Sequence, residues 1–177
     1  MPRKIVAKGA ISGGQVLVSK ESEANSLYQK GHFGEMQSGG KLLLSLVEAM
    51  FLVEKGRLEV KKGRKKVGFD ALLKEAEGFD PQIWLQYIVF SDLKNRGYIC
   101  KTGFKFGAHF RVYEQGAVLG KDHSIFLVHC LPEFYETSMT EISRMVRLAH
   151  SVKKTLWLAI VDNEGDITYY EIVRKLP

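Results

Sequence analysis

Apolar and polar residues alternate weakly over residues 4–19, with Gly13 and Gly14 between two halves rich in valine and isoleucine. Alternation around a glycine pair predicts a β-hairpin. The pattern then becomes helical, and Gly31 and Gly56 predict where two helices end. In chain order the first half predicts helix 21–30, helix 41–55, strand 57–60, a solvated basic turn at 61–66 and helix 70–77.

A new helix begins near Pro81 with Asp80 as its N-cap, and this restart predicts a domain boundary between residues 80 and 81. After Gly97 the hydrophobic period changes from that of a helix to that of a strand. One of these strands, 123–131, is apolar on both faces, as expected of a central strand covered by helices. The second half predicts helix 81–96, strands 98–101, 105–114 and 123–131, a helix from 138 to 154, and strands 155–161 and 168–173.

These elements predict an α+β fold. A small N-terminal domain that mixes helices and strands would occupy residues 1–80, and a C-terminal mixed β-sheet flanked by helices would occupy residues 81–177. With 177 residues, of which 45% are hydrophobic, the chain can bury a core large enough for this fold.

The formal net charge of +6 permits attraction to a phosphate backbone, but charge alone does not distinguish RNA binding from a merely basic surface. The first residues lack the apolar core of a signal peptide, and the most apolar helix candidate, 42–53, is shorter than a membrane span. We therefore expect a cytoplasmic protein with no membrane partner. In that reducing compartment Cys100 and Cys130 are expected to be buried free thiols.

Histidines and cysteines show no recognisable metal-ligand spacing, and no clustered carboxylates accompany them. Glycine-rich loops of the nucleotide-binding kinds do not occur in the sequence either. Because Cys130 lies in an apolar strand, its thiolate is disfavoured and a cysteine nucleophile is not expected. The sequence thus predicts neither a metal nor a cofactor.

Three side chains offer a base, an acid and a cation: Tyr113, His123 and Lys154. Tyr113 falls on the polar face of strand 105–114, which favours a wet or functional phenol, although a half-buried strand tyrosine is the more common explanation. His123 stands at the entrance of strand 123–131 and could protonate a leaving alkoxide near neutral pH. The structural alternative for His123 is a histidine hydrogen-bonded at a strand end.

The helix that follows Ser138 carries an apolar stripe on one side and a basic ridge on the other. A capping box formed by Ser138 and Glu141 predicts its start. The stripe consists of Ile142, Met145, Val146, Ala149 and Val152. Spacings of three and four residues place a polar set on the opposite side, namely Arg144, Arg147, Ser151 and Lys154. The structural alternative for Lys154 is a solvated lysine that compensates the helix dipole.

Three stretches of the second half resemble, in their order, the catalytic core of the archaeal tRNA-splicing endonuclease family in its homotetrameric type. One contains Phe-Arg-Val-Tyr ending at Tyr113, one begins at His123, and one begins Val-Arg-Leu-Ala-His-Ser and closes with Lys154. The N-terminal half is similar as well, in residues 28–34 and 44–53. The resemblance implies that Tyr113, His123 and Lys154 form the catalytic triad of an RNA endonuclease.

The chemistry implied by the resemblance needs no metal. A ribose 2′-hydroxyl attacks its own 3′-phosphodiester and leaves a 2′,3′-cyclic phosphate and a 5′-hydroxyl end. Tyr113 would take the proton, His123 would protonate the leaving oxygen, and Lys154 would stabilise the negative charge that develops.

The resemblance also implies a substrate, a precursor tRNA whose intron is bounded by a bulge-helix-bulge. Members of the family hold a bulge base between two arginines, and Arg147 matches one of them by its position before the lysine. Arg174 is the candidate for the second. Bases splayed out of an RNA loop or bulge stack well on guanidinium planes.

A homotetramer is the implied assembly, with an acidic loop of each subunit docked in a basic cleft of a neighbour. Residues Asp162, Glu164 and Asp166 occupy the matching place in this sequence. Two alternatives remain from the residues alone: a non-catalytic structural subunit of a splicing enzyme, and a basic RNA-binding module without hydrolytic activity.

Overall fold

The computed structural model describes residues 6–177, which form two compact units that divide between Tyr87 and Ile88. Over these residues there are five α-helices and two mixed β-sheets, one sheet in each unit, which confirms the predicted α+β fold. The boundary predicted between residues 80 and 81 lies in the turn before the helix that contains the division, and it stays a prediction. Within residues 6–177 no helix is long and apolar enough to cross a membrane.

The N-terminal unit is built on a six-stranded sheet in the order β3-β4-β2-β1-β5-β6. Its elements are β1 Ala7–Ser12, β2 Gln15–Val18, α1 Glu21–Gly31, β3 Glu35–Gln37, β4 Lys41–Ser45, α2 Leu46–Glu54, β5 Leu58–Lys62, β6 Lys65–Val67 and α3 Phe69–Glu77.

The predicted hairpin is present as β1 and β2, which pair antiparallel. Gly13 and Gly14 form its turn with φ values of 56° and 77°. Positive φ at both central residues is what a two-residue turn of this hand requires, and glycine adopts it without a steric penalty. Residues 4 and 5 of the predicted hairpin lie outside the described residues.

The first part of the helix predicted at 41–55 is wrong, because β4 occupies it. Leu42 and Leu44 are fully buried and alternate with more exposed neighbours, which is the period of a strand. Ser45 then starts α2 as its N-cap, in a capping box with Glu48. The capping box thus divides one apolar run into a strand and a helix.

Two further predictions concern the ends of elements. A turn lies between two strands as predicted, but it is shorter than 61–66, because β5 extends to Lys62 and β6 begins at Lys65. Ion pairs of Lys62 with Glu75 (2.7 Å) and of Lys66 with Glu59 (2.9 Å) anchor its flanks. Gly31 was expected to stop α1, but the residue in the left-handed conformation is His32, with φ 56°.

The C-terminal unit contains a five-stranded sheet in the order β11-β10-β9-β8-β7. The helix that leads into it, α4, begins in the N-terminal unit. From α4 onward the elements are α4 Ile83–Asn95, β7 Ile99–Thr102, β8 Phe110–Tyr113, β9 Phe126–Pro132, α5 Met139–Ser151, β10 Thr155–Val161 and β11 Ile167–Ile172. Strands β9 and β10 are parallel and α5 connects them, while the other neighbours are antiparallel.

Helix α5 covers one face of this sheet with the apolar stripe that the sequence predicts. Met145, Val146 and Ala149 are buried against Leu127 of β9 and Leu156 of β10. This packing is where most of the helix's stability arises, because burial of apolar surface outweighs helix propensity. Helix α5 therefore covers the face of the sheet that β9 and β10 form.

The ends of three elements beside this core differ from the prediction. The strand predicted at 105–114 is shorter, because Phe104–Phe106 form a 3-10 turn and Gly107 has φ 64°. The strand predicted at 123–131 begins only at residue 126. Helix α5 ends at Ser151, and Lys153 has φ 57°, so the chain turns before it reaches β10.

Candidate active site

Tyr113 and Lys154 lie at the end of the C-terminal sheet where β8 ends and β9 and β10 begin, which we call the lower end. Val112 of β8 and Thr155 of β10 both pair with Phe126 of β9. One step further, hydrogen bonds of 2.9 Å from Ile125 N to Val112 O and from Thr155 N to Ile125 O continue the pairing. This register places Tyr113 and Lys154 on either side of residue 125, at the same level of the sheet.

Lys154 is half-buried, and contacts of its ammonium group hold the side chain in place. Its Nζ donates a 2.7 Å hydrogen bond to the carbonyl oxygen of Ser124 and lies 5.5 Å from the centre of the Phe106 ring. Burial lowers the pKa of Lys154, and the positive charge of Arg111 lowers it further. The lysine is therefore a partly desolvated cation at the lower end of the sheet.

The predicted ridge that joined Lys154 to Arg147 along one side of the helix is wrong. The reversal at Lys153, with φ 57°, takes Lys154 off the helix, and Lys154 N donates to Ala149 O at 2.9 Å. Lys154 is also not a last-turn lysine of the helix, as the structural alternative has it, because α5 ends at Ser151 and the Lys154 ammonium binds the Ser124 carbonyl oxygen.

Tyr113 is the last residue of β8 and is 8% exposed. Arg111 and Tyr113 share one face of β8, as predicted, while Phe110 and Val112 share the other. The expectation of a wet phenol is not met for the side chain as a whole, because so little of it is exposed.

His123 lies in the loop between β8 and β9, three residues before β9 begins, and it is exposed. It lines a cavity of about 390 Å³ together with Glu114, Asp122 and Ile125. A hydrogen bond of 2.6 Å from Val118 N to Asp122 Oδ2 braces this loop. His123 directly precedes Ser124, whose carbonyl oxygen binds Lys154.

Arg147 and Arg174, the two predicted base-binding arginines, line one cavity of about 670 Å³ between α5 and the end of β11. Both side chains are exposed. Ile142 and Ile172 contribute apolar surface to the same cavity. The neighbouring Arg144, by contrast, forms an ion pair with Glu141.

The remaining histidines of the sheet form a structural pair. His109 Nδ1 accepts a 3.0 Å hydrogen bond from Cys130 N, and the rings of His109 and His129 meet edge to face at 5.8 Å. Burial, followed by the charge of His109, lowers the pKa of His129 to about 4. Over the described residues no three His, Cys, Asp or Glu side chains are grouped so that they could hold a metal ion.

Both cysteines are buried and are not joined in a disulfide, as predicted. Burial raises the pKa of Cys130, so its thiol stays protonated.

Sequence reasoning missed three residues around Lys154: Phe106, Arg111 and Ser124. Arg111 carried a visible signal, because it lies with Tyr113 on the polar face of β8. Ser124 had none, because its carbonyl oxygen binds a side chain thirty positions later in the chain. Phe106 was assigned to a strand that the structure replaces with a turn.

Comparison with protein families gives two matches that together span most of the chain. Residues 83–169 match the family described as "tRNA intron endonuclease, catalytic C-terminal domain", and residues 7–73 match the "tRNA intron endonuclease, N-terminal domain". Tyr113, His123 and Lys154 all lie inside the first range. The C-terminal unit is therefore the catalytic domain of a nuclease.

Relatives similar to the whole chain carry the name tRNA-splicing endonuclease. A protein of Thermococcus gammatolerans is 43% identical over 162 residues, which covers 92% of this chain and 94% of the relative. One of Methanothermobacter thermautotrophicus is 41% identical over 166 residues, with 92% and 94% covered. One of Pyrococcus furiosus is 38% identical over 169 residues, with 96% of each covered. The chain belongs to the tRNA intron endonuclease family.

Proposed function

We propose that the protein removes introns from precursor tRNA by cutting both strands of a bulge-helix-bulge without a metal ion. The observation that carries this proposal is the register at the lower end of the C-terminal sheet, where Tyr113 and Lys154 flank residue 125 and His123 lies two residues away. A phenol, an imidazole and an ammonium group so arranged suit the cleavage of one phosphodiester.

In the proposed reaction the ribose 2′-hydroxyl gives its proton to Tyr113 as the 2′-oxygen attacks phosphorus. The new bond to the 2′-oxygen forms while the bond from phosphorus to the 5′-oxygen breaks, and His123 gives a proton to that leaving oxygen. The products are a 2′,3′-cyclic phosphate and a 5′-hydroxyl end. The exposed position of His123 leaves it accessible to an RNA strand.

Lys154 would stabilise the additional negative charge on the phosphorane-like transition state. A half-buried ammonium interacts more strongly with an anion than a fully solvated one, because water screens it less. Its hydrogen bond to Ser124 and its contact with the Phe106 ring hold the cation before the substrate arrives. Such preorganisation is what makes an electrostatic contribution effective in catalysis.

Arg147 and Arg174 would bind an extruded bulge base between their guanidinium planes. Both arginines are exposed, line the same cavity and form no ion pair within residues 6–177. Unpaired guanidinium groups are free to stack on a base, and the substrate would be recognised by its shape through such contacts.

Because one triad cuts one bond and the substrate has two bulges, we propose a homotetramer with two correctly spaced active sites. The loop between β10 and β11 would dock on a second copy of the chain. Asp162 holds this loop, since its Oδ1 accepts 2.9 Å hydrogen bonds from Glu164 N and Asp166 N. Glu164 and Asp166 are exposed and would present the negative charge to a basic cleft.

The substrate assignment is tested with two RNAs of the same length, one with a bulge-helix-bulge and one with the bulges closed into continuous duplex. We expect cuts in the first RNA only, one in each bulge. Equal cutting of both RNAs, or of neither, would contradict the proposal.

A further inference from the structure

The face of the sheet that carries Tyr113 also carries Arg111. Residues two apart on a strand share a face, and directly paired residues of neighbouring strands do so as well. Arg111 pairs with Leu127, and Leu127 pairs with Leu156 of β10. Lys154, two residues before Leu156, reaches the same region of the sheet as Arg111.

In the part of the chain that the structure describes, no acid is paired with Arg111 or Lys154. Within residues 6–177 neither side chain forms an ion pair with a carboxylate, and the ammonium of Lys154 donates to a neutral carbonyl oxygen. The two cations are close enough that Arg111 lowers the pKa of Lys154. Like charges this close to each other repel, so an anion bound between Arg111 and Lys154 would relieve the repulsion.

We propose that Arg111 binds the phosphate next to the one that is cleaved, so that Arg111 and Lys154 hold two consecutive phosphates of the RNA. This inference rests on the proposed function. Arg111 lies one strand repeat, roughly 6.8 Å, from Tyr113 along β8, a separation that its long side chain spans. A guanidinium group binds phosphate through two parallel hydrogen bonds, which a lysine does not reproduce.

The role of this contact is to set the position of the scissile bond. A phosphate held by Arg111 fixes the RNA strand along β8, and the next phosphate then falls beside Lys154. Positioning of this kind contributes to the rate because the reacting atoms no longer have to find their alignment.

The first test combines variants of the protein with neutral linkages in the RNA. Arg111→Gln should lower the single-turnover second-order rate constant about 10- to 100-fold, and Arg111→Lys should lower it less. The matched control is Arg64→Gln, which removes the same charge from an exposed turn of the N-terminal unit and should change the rate less than about twofold. Melting temperatures close to that of wild type establish that each variant is folded.

A methylphosphonate is then placed at the linkage on either side of the cut. For wild type, one of the two neutral linkages should lower the cleavage rate by the same factor as the Arg111→Gln substitution does. The Arg111→Gln variant should cut that RNA and the unmodified RNA at the same rate. If both neutral linkages reduce the rate of wild type and of Arg111→Gln by equal factors, Arg111 binds neither phosphate and the inference is overturned. A wild type that fails to cut the unmodified RNA would instead contradict the proposed function.

The second test needs no cleavage. A 2′-deoxy dinucleotide with a 5′-phosphate, which carries two consecutive phosphates and cannot be cleaved, is titrated into the intact protein, and the NMR signal of a ¹³C-labelled Lys154 ε-carbon reports binding. We expect its apparent affinity to fall at least about fivefold in Arg111→Gln and to be unchanged in Arg64→Gln. Equal affinities in wild type and Arg111→Gln would overturn the inference whatever the activity of the enzyme.

Discussion

The ammonium group of Lys154 donates a 2.7 Å hydrogen bond to the carbonyl oxygen of Ser124, the residue that directly follows His123. The proposed cation and the proposed general acid are thereby joined through one residue of backbone, although they lie on different elements. Ser124 is 4% exposed, so this carbonyl oxygen has little access to water and the bond is protected from competition. The Lys154 ammonium is thus tied to the backbone beside His123 before RNA binds.

His123→Ala should lower the single-turnover cleavage rate by about 10²–10⁴-fold, because general-acid help to the leaving oxygen is lost. RNA affinity should change little, since the side chain is one exposed group in a loop braced by Asp122. Gel-shift and quenched-flow measurements separate the two quantities. His150→Ala, at an exposed position on α5, is the control and should cut normally. A variant at position 123 that retains the wild-type rate would make His123 structural.

Arg147→Ala should reduce cleavage about 5- to 100-fold through loss of stacking on a bulge base. Arg144→Ala is the control on the same helix, because Arg144 is paired with Glu141 and does not line the cavity. With an abasic site at the stacked position, wild type and Arg147→Ala should cut at the same rate. A gap between the two that persists on the abasic RNA would remove stacking as the explanation.

Neutralising Glu164 and Asp166 together, as Glu164→Gln with Asp166→Asn, should weaken tetramers toward dimers. Asp162 is left intact because its carboxylate holds the loop itself. Light scattering over a range of salt concentrations measures the effect, which should be largest at low salt, because screening at high salt weakens the same attraction in wild type.

A double variant at other exposed acids of the chain, Glu77→Gln with Glu136→Gln, removes the same charge and should leave the mass unchanged. A loop variant with the mass of wild type at every salt concentration would place the interface elsewhere.

His129 should make the C-terminal unit less stable in acid. Its pKa in the folded protein is about 4, below the ordinary 6.5. Between these two pH values His129 is therefore protonated in the unfolded chain and neutral in the folded chain. Stability from this group is complete above about pH 6.5 and is lost as the pH falls toward 4, by about 2 kcal/mol between pH 7 and 5.

The measurement is the melting temperature at pH 7 and pH 5. His129→Leu should lose less on acidification than wild type, whereas the exposed control His150→Gln should lose as much as wild type. An identical pH dependence in His129→Leu and wild type would show that His129 is not the group responsible.

Features set by local chemistry could be predicted from the sequence. The glycine pair at 13 and 14 marks the hairpin turn because both residues need positive φ. Ser138 starts α5 because its Oγ accepts a hydrogen bond from Glu141 N at 3.1 Å. The apolar stripe of α5 predicts the face that packs on the sheet, since its spacing repeats with the helix turn.

Features that depend on tertiary contacts could not be predicted from the sequence. The run at 41–45 reads as helix, but pairing with strands on both sides makes it β4, because tertiary hydrogen bonds outweigh a local propensity. Lys153 gives no local signal that it will adopt φ 57°, so the departure of Lys154 from the helix was not foreseen. The bond from Lys154 to Ser124 depends on the register of β9 and β10, which the sequence pattern leaves open.

The central claim is that Tyr113, His123 and Lys154 cleave RNA by attack of the 2′-hydroxyl, without a metal ion. The most direct measurement incubates the purified protein with bulge-helix-bulge RNA in excess EDTA and determines both new ends. We predict an undiminished rate, 2′,3′-cyclic phosphate on one side of each cut and 5′-hydroxyl on the other. Loss of cleavage that added magnesium restores, or ends that carry a 3′-hydroxyl and a 5′-phosphate, would contradict the account.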